Sequence, residues 1–148
     1  MKYVIVMVLI VILCAHACSQ EQLSGKGTLI VKITELRNND GCMKVLLFHS
    51  ADGFPNNPRK ADRILDIHNL SGNACEAKFS DLQYGEYAVG AMQDENNNGK
   101  MDVGLFGIPK EGYGASNDAR GFFGPPNYDD AKFMFSSDSM AIVLKMTY

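Results

Sequence analysis

The sequence predicts an all-β protein, an antiparallel β-sandwich of about seven strands. Three observations lead there. Short stretches alternate apolar and polar residues with the period of two that half-buried strands require. Turn chemistry built from Gly, Pro, Asn and Asp separates them at short intervals. No stretch carries a 3.6-residue apolar period over the length of an ordinary helix. At 46% hydrophobic and 21% charged residues, the chain is composed like a globular domain rather than a disordered tail or coiled coil. A net charge of −3 and a pI near 5.5 argue against nucleic-acid binding, which needs a clustered basic excess.

The 148 residues suit one domain preceded by a targeting segment. Residues 1–17 carry Lys2 and then an unbroken apolar run from Tyr3 to Leu13, too short for a span of about 20 residues but suited to a signal-peptide core. Ala15-His16-Ala17 supplies a small-x-small cleavage pattern. Two processing routes fit: release after Ala17 as a free secreted chain, or lipidation of Cys18. The latter follows the apolar core as bacterial lipoprotein cysteines do, but lacks the usual Leu upstream. Residues 18–26 then form a linker, and residues 27–148 a single sandwich domain.

Within that domain, Leu29, Val31 and Ile33 alternate with polar neighbours over 27–36, the first strand. Asp40-Gly41 closes a turn, and the more continuous apolar run of Cys42 to His49 predicts a central second strand. Gly53, Pro55 and Pro58 mark a loop. Ile64, Leu65 and Ile67 mark a third strand, and Cys75, Ala77 and Phe79 share one face of a fourth. The spacing Phe79-x-x-Leu82-x-x-Gly85-x-Tyr87-x-Val89 then predicts a core-closing corner leading into the fifth strand. Its Tyr87 hydroxyl can tie back to an upstream backbone group, or Tyr87 is an ordinary strand tyrosine. Lys132 to Phe135 and Met140 to Met146 supply the last strands, after a short turn begun at Asp129.

Residues 94–131 show neither period. They hold Gly99, Gly104, Gly107, Gly112, Gly114, Gly121 and Gly124, half of the 14 glycines, together with Phe106, Tyr113, Phe122, Phe123 and Tyr128. A loop so long and so aromatic is expected to be ordered, packed across one end of the sandwich, and functional.

One constellation there has ion chemistry. Asp94, Asn96, Asn98, Lys100 (through its carbonyl) and Asp102 fall at positions 1, 3, 5, 7 and 9 of a calcium-loop pattern, with Gly99 at position 6. Position 12 is Leu105 rather than a bidentate Glu, so the set is short of ligands; Glu95 and Glu111 are candidates to assist. The alternative is an Asn/Gly turn whose side chains cap its own backbone. Calcium is the one cofactor the sequence suggests.

Tyr113, Arg120, Phe122 and Phe123 are the candidate ligand-binding residues. Arg120 can pair with a carboxylate or stack on a ring, or it can pin the loop by bonding Asp94, Asp118 or Asp129. Cys42 and Cys75, each at the start of a predicted strand, are expected to form a disulfide outside the cytoplasm; two buried free thiols are the alternative.

The stretch DENNNGKMD, followed by GIPKEGYGASNDARGFFGPPNYDDAKF, resembles the bacterial family catalogued as domain of unknown function 2141. The likeness extends over GTLIVKI, CMKVLLFHSADGFP and FSDLQYGEYAVGAMQ. The FxxLxxGxYxV part is also similar to transthyretin-like and carboxypeptidase-regulatory-like modules. That likeness implies an immunoglobulin/prealbumin-like sandwich and no particular activity. Ala115 departs from the family, which more often has an aromatic residue there.

Together these readings predict a non-enzymatic, exported module of the cell envelope, lipid-anchored or free in the periplasm or medium. It would bind a small ligand or an envelope protein through loop 94–131, touching a membrane only through an anchor at Cys18. The alternative is a hydrolase of an envelope or carbohydrate substrate using loop carboxylates such as Asp94 and Glu111. His49 and His68 lie near strand ends, and no nucleophile-elbow or zinc motif accompanies them.

Overall fold

The computed structural model describes residues 24–148; the expected signal peptide and Cys18 lie outside them. Eight strands form: β1 Lys26–Thr34, β2 Cys42–Phe48, β3 Arg63–Ile67, β4 Ala74–Gln83, β5 Gly85–Asp94, β6 Tyr113–Ala115, β7 Phe133–Phe135 and β8 Ser139–Lys145. One short helix, α1, covers Tyr128–Ala131. The strands make two facing sheets, one ordered β4-β1-β8 and the other β3-β2-β5-β6, with β7 also pairing β5. The all-β sandwich is as expected. Its antiparallel character holds for every strand pairing but one, since β8 runs parallel to β1, Thr28 opposite Ser139 through Thr34 opposite Lys145. The Ser/Asp turn after β7 carries the chain from one sheet to the other, so β8 reaches the edge of the first sheet pointing the same way as β1.

Between the sheets lie Leu29, Val31 and Ile33 of β1, Ala77, Phe79 and Leu82 of β4, and Leu144 of β8. They face Met43, Val45 and Leu47 of β2, Val89 and Ala91 of β5, and Phe135. Among the described residues the core runs from Leu29 to Met146. Phe79 and Leu82 are both buried although three residues apart. The register shifts there, with Leu29 opposite Phe79 but Gly27 opposite Leu82, so a bulge at Ser80-Asp81 restores the inward direction. Arg63 reaches across from the other sheet and donates to the bulge carbonyls of Ser80 (2.5 Å) and Asp81 (3.0 Å). The corner forms as expected: the Tyr87 hydroxyl donates to the Gln83 carbonyl at 3.0 Å.

Strand β2 is central, between β3 and β5, and is buried on both faces, which explains its continuous apolar run. Its outer face, Leu46 and Phe48, packs with Ala88, Ala115, Tyr128 and Ala131. The later part of loop 94–131 therefore covers the outer face of the second sheet instead of only capping one end. Ser116 secures it: its hydroxyl accepts the Val89 N–H at 2.9 Å and donates to the Ala131 carbonyl at 2.6 Å. Ala115 lies inside this cluster, where a small side chain lets Tyr128 and Ala131 approach.

The expected Cys42–Cys75 bridge is absent; both cysteines are free. They sit on different sheets and face different layers. Cys75 lines the inter-sheet core, whereas Cys42 alternates with the inward Met43 and so points to the outer side of β2.

Removing the corner hydroxyl with Tyr87→Phe should cost about 1 kcal/mol in urea unfolding, with an unchanged denaturant slope. A neutral result would deny the corner bond an energetic role. Burial pushes the Cys75 thiol up from 9.0 to about 11, and burial also raises Cys42, Tyr87, Tyr128 and Tyr148. The unfolded chain releases these protons first, so stability intact below pH 9 should decline as pH rises toward 11. Unfolding at stepped alkaline pH should show this decline, and Cys75→Ala should make it shallower.

Candidate functional site

Strand β5 delivers Asp94 to the end of the sandwich opposite Lys26, because Lys26 pairs with Gln83 and Gln83 leads directly into the start of β5. Asp94 is only 2% exposed. A buried carboxylate must find hydrogen-bond donors, and the chain supplies them by turning back on itself. Asp94 Oδ1 accepts the Asn98 N–H at 2.9 Å and Oδ2 the Gly99 N–H at 2.7 Å. Gly99 adopts φ +81°, the tight bend expected at position 6 of the loop. Asn96 Oδ1 accepts the Asn98 N–H at 3.1 Å, and Asn98 Oδ1 accepts the Lys100 N–H at 3.0 Å. The amide groups of Asn96 and Asn98 donate to Asp102 at 2.6 and 3.0 Å. Four of the five expected ligands, Asp94, Asn96, Asn98 and Asp102, thus converge, while Lys100 joins through its backbone. The set comprises two carboxylates and two amides. Among the described residues no three His, Cys, Asp or Glu side chains gather as a metal cluster.

Glu111 closes the loop from behind. It is 4% exposed, and its carboxylate accepts the N–H of Glu95 and the N–H of Asp102, both at 2.9 Å. The two carboxylates a hydrolase would use, Asp94 and Glu111, are therefore both held by backbone donors. Glu95 in turn takes a two-pronged bond from Arg37, whose Nε and Nη2 each stand 2.9 Å from its oxygens. That hydrogen bond raises the Arg37 pKa further and keeps the guanidinium charged. Arg37 also donates to the Lys110 carbonyl at 2.8 Å and lies 4.6 Å above the Tyr148 ring. The Tyr148 hydroxyl donates to Gln93 Oε1 at 2.5 Å, and Gln93 Nε2 donates to Asn38 Oδ1 at 2.8 Å. Sequence reasoning missed Arg37, Gln93 and Tyr148, because residues more than 50 positions apart meet here without a local pattern to announce them.

The expected ligand-binding residues divide into two kinds. Tyr113 is half-buried on β6, and its backbone exchanges bonds of 3.0 and 2.8 Å with Thr147, joining the two sheets. Arg120 donates to the Thr147 hydroxyl, so it pins the loop, though not through the carboxylates foreseen for that role. Asp118 instead accepts the Lys145 N–H at 3.3 Å. Phe122 and Phe123 are 91% and 96% exposed and pack edge to face, with ring centres 4.6 Å apart. Leu105 and Phe106, 83% and 98% exposed, form a second apolar projection that sequence reading had registered only as one aromatic among several.

A separate shallow cleft at the other end is lined by Lys26, His49, Asp62, Arg63, Glu86 and Tyr87 among others. There His49 Nδ1 lies 2.5 Å from Asp62 Oδ1, and among the described residues no Ser, Thr or Cys lines the cleft to act as a nucleophile.

The fold and site define an all-β sandwich module whose distinctive part is a hydrogen-bonded loop with exposed apolar tips. A family model described as "Uncharacterized protein conserved in bacteria (DUF2141)" matches residues 31–143, and the chain belongs to that family. No curated protein and no solved structure matches the chain, and the likeness to transthyretin-like modules is not confirmed.

Replacing Glu111 by Gln leaves one of its two backbone N–H partners facing an amide NH2. Glu111→Gln should cost about 1–3 kcal/mol, several degrees in a thermal melt, and should speed amide exchange at Glu95 and Asp102. An unchanged melt and unchanged exchange would remove Glu111 from its bracing role.

Proposed function

We propose that this chain is a non-enzymatic, exported module of the bacterial cell envelope that binds its partner through loop 94–131, with its 94–102 turn stabilised by calcium. The observation that carries this reading is a contrast within one loop. Asp94, Asp102 and Glu111 are engaged within the loop, and Glu95, Ser116 and Arg120 bond to the sandwich, while Leu105, Phe106, Phe122 and Phe123 stand in solvent. A surface with that much projecting apolar area is ordinarily reserved for a partner. The engaged state of Asp94 and Glu111 favours binding over hydrolysis.

Calcium fits the converging oxygens if the Asn96 and Asn98 amides turn their oxygens toward Asp102, which then exchanges two N–H donors for the ion. Two formal charges and few ligands imply modest affinity, about 10⁻⁴–10⁻³ M as in extracellular modules. Export and the alternative of lipidation at Cys18 rest on the leading segment.

Two measurements test the reading on a chain starting at Ser19, which retains every core residue described above. Calcium at about 100 times its dissociation constant should add about 2.7 kcal/mol, several degrees of melting temperature, reversed by chelator and lost in Asp94→Ala. The absence of any shift sinks the calcium part. Sedimentation with an isolated envelope fraction should retain the protein, and Phe106→Ser with Phe123→Ser should release it without lowering the melting temperature. Equal retention of the double variant would overturn the binding loop.

A further inference from the structure

The segment Val103 to Pro109 is a miniature hairpin, closed by an antiparallel bridge between those two residues. The Gly104 N–H donates to the Ile108 carbonyl at 2.7 Å, and the Gly107 N–H to the Gly104 carbonyl at 3.3 Å. Pro109 has no N–H to satisfy. At its tip Phe106 adopts φ +62°, a left-handed backbone conformation unfavourable for a bulky aromatic residue. The ring itself, 98% exposed, makes no packing that offsets that strain. Leu105 and Ile108 stand out beside it. The depression these residues line is open and shallow, not an enclosure for a small molecule.

The charges are arranged to match. No acidic residue occurs from Val103 to Lys110. Lys100 and Lys110 flank the tip, both exposed, and neither forms an ion pair with a described residue. The two carboxylates that flank the segment in sequence are both engaged, Asp102 by the Asn96 and Asn98 amides and Glu111 by the Glu95 and Asp102 N–H groups.

We propose that this prong docks end-on into an anionic lipid bilayer, Leu105, Phe106 and Ile108 entering the acyl boundary while Lys100 and Lys110 meet the headgroup phosphates. This deepens the binding-loop reading and rests on it. A projecting apolar tip suits a fluid surface that closes around it, and the internal bonds of the prong leave few backbone groups to be stripped of water. The chain as a whole carries a net charge of −3, which an anionic surface repels, so docking there depends on the local pair Lys100 and Lys110.

The test is flotation of the chain starting at Ser19 with vesicles of phosphatidylcholine alone or with about one third phosphatidylglycerol. Binding is expected to the mixed vesicles, at least tenfold weaker to the neutral ones, and reduced by added salt. Leu105→Ser with Phe106→Ser should abolish it, and Lys100→Gln with Lys110→Gln should reduce it to the neutral-vesicle level. Because all four side chains are exposed, these variants should melt as the parent does. Failure to float with either vesicle, or flotation indifferent to the tip variants, overturns the lipid proposal. If the chain fails to float but still sediments with envelope fragments in a manner dependent on Phe106, the binding loop stands and its partner is not lipid. If the envelope sedimentation is also indifferent to Phe106 and Phe123, the broader reading falls with it.

Discussion

A single buried charge organises the loop end of this protein. Strand β5 is buried along nearly its whole length, and its pairing with β2 sets Asp94 opposite Cys42 at the sheet's rim. A carboxylate in that position is tolerable only with donors on both oxygens. Asn98 and Gly99 supply them from their backbones, and this fixes the turn that everything after it follows. Gly41 shows how close the neighbouring chain must pass: a Cβ there would lie 1.8 Å from the Asp94 carbonyl oxygen. The turn, the 38–41 corner and the strand end are therefore packed as one unit.

From that unit outward, the loop is held by charge paired with backbone more than by apolar burial. Glu111 ties Glu95 to Asp102, Arg37 ties Glu95 to the Lys110 carbonyl, and Tyr148 fills the space between Arg37 and Gln93. The later half of the same loop is held in the opposite way, by Ala115, Tyr128 and Ala131 against Leu46 and Phe48. Two different cements thus fix the two halves, a polar one at the rim and an apolar one on the sheet face. The tips between them, Leu105-Phe106 and Phe122-Phe123, remain uncovered.

What the sequence made legible follows from how local each signal is. Alternation at Leu29, Val31 and Ile33 and the double-sided run of β2 report burial directly, and both strands stand where expected. The corner was readable because Tyr87 and Gln83 are four residues apart. The second half of β4 was not: Ser80 and Asp81 break the alternation, and only the bulge opposite β1 explains why Leu82 still points inward. The parallel pairing of β8 with β1 joins distant segments and leaves no mark in either. The cysteines misled for the same reason, since a strand start says nothing about which layer a side chain faces. In the loop, spacing found Asp94, Asn96, Asn98 and Asp102, but not the Arg37–Glu95–Tyr148 brace built from remote residues.

The strain at Phe106 bears on why the bracing is so thorough. An aromatic residue held at φ +62° with its ring in water relaxes unless its surroundings forbid it. The bridge from Val103 to Pro109 and the bond from the Lys110 N–H to the Asp102 carbonyl at 2.8 Å forbid it locally. Glu111 and Arg37 anchor those residues to the sandwich in turn. A floppy loop could bury the same apolar side chains against a partner, but it would first have to be ordered, and that entropy would be lost from the affinity. A braced tip carries its ordering cost within the fold. The buried Asp94 and the exposed Phe106 are thus two ends of one device, in which the hydrogen-bonded base holds the apolar tip in place.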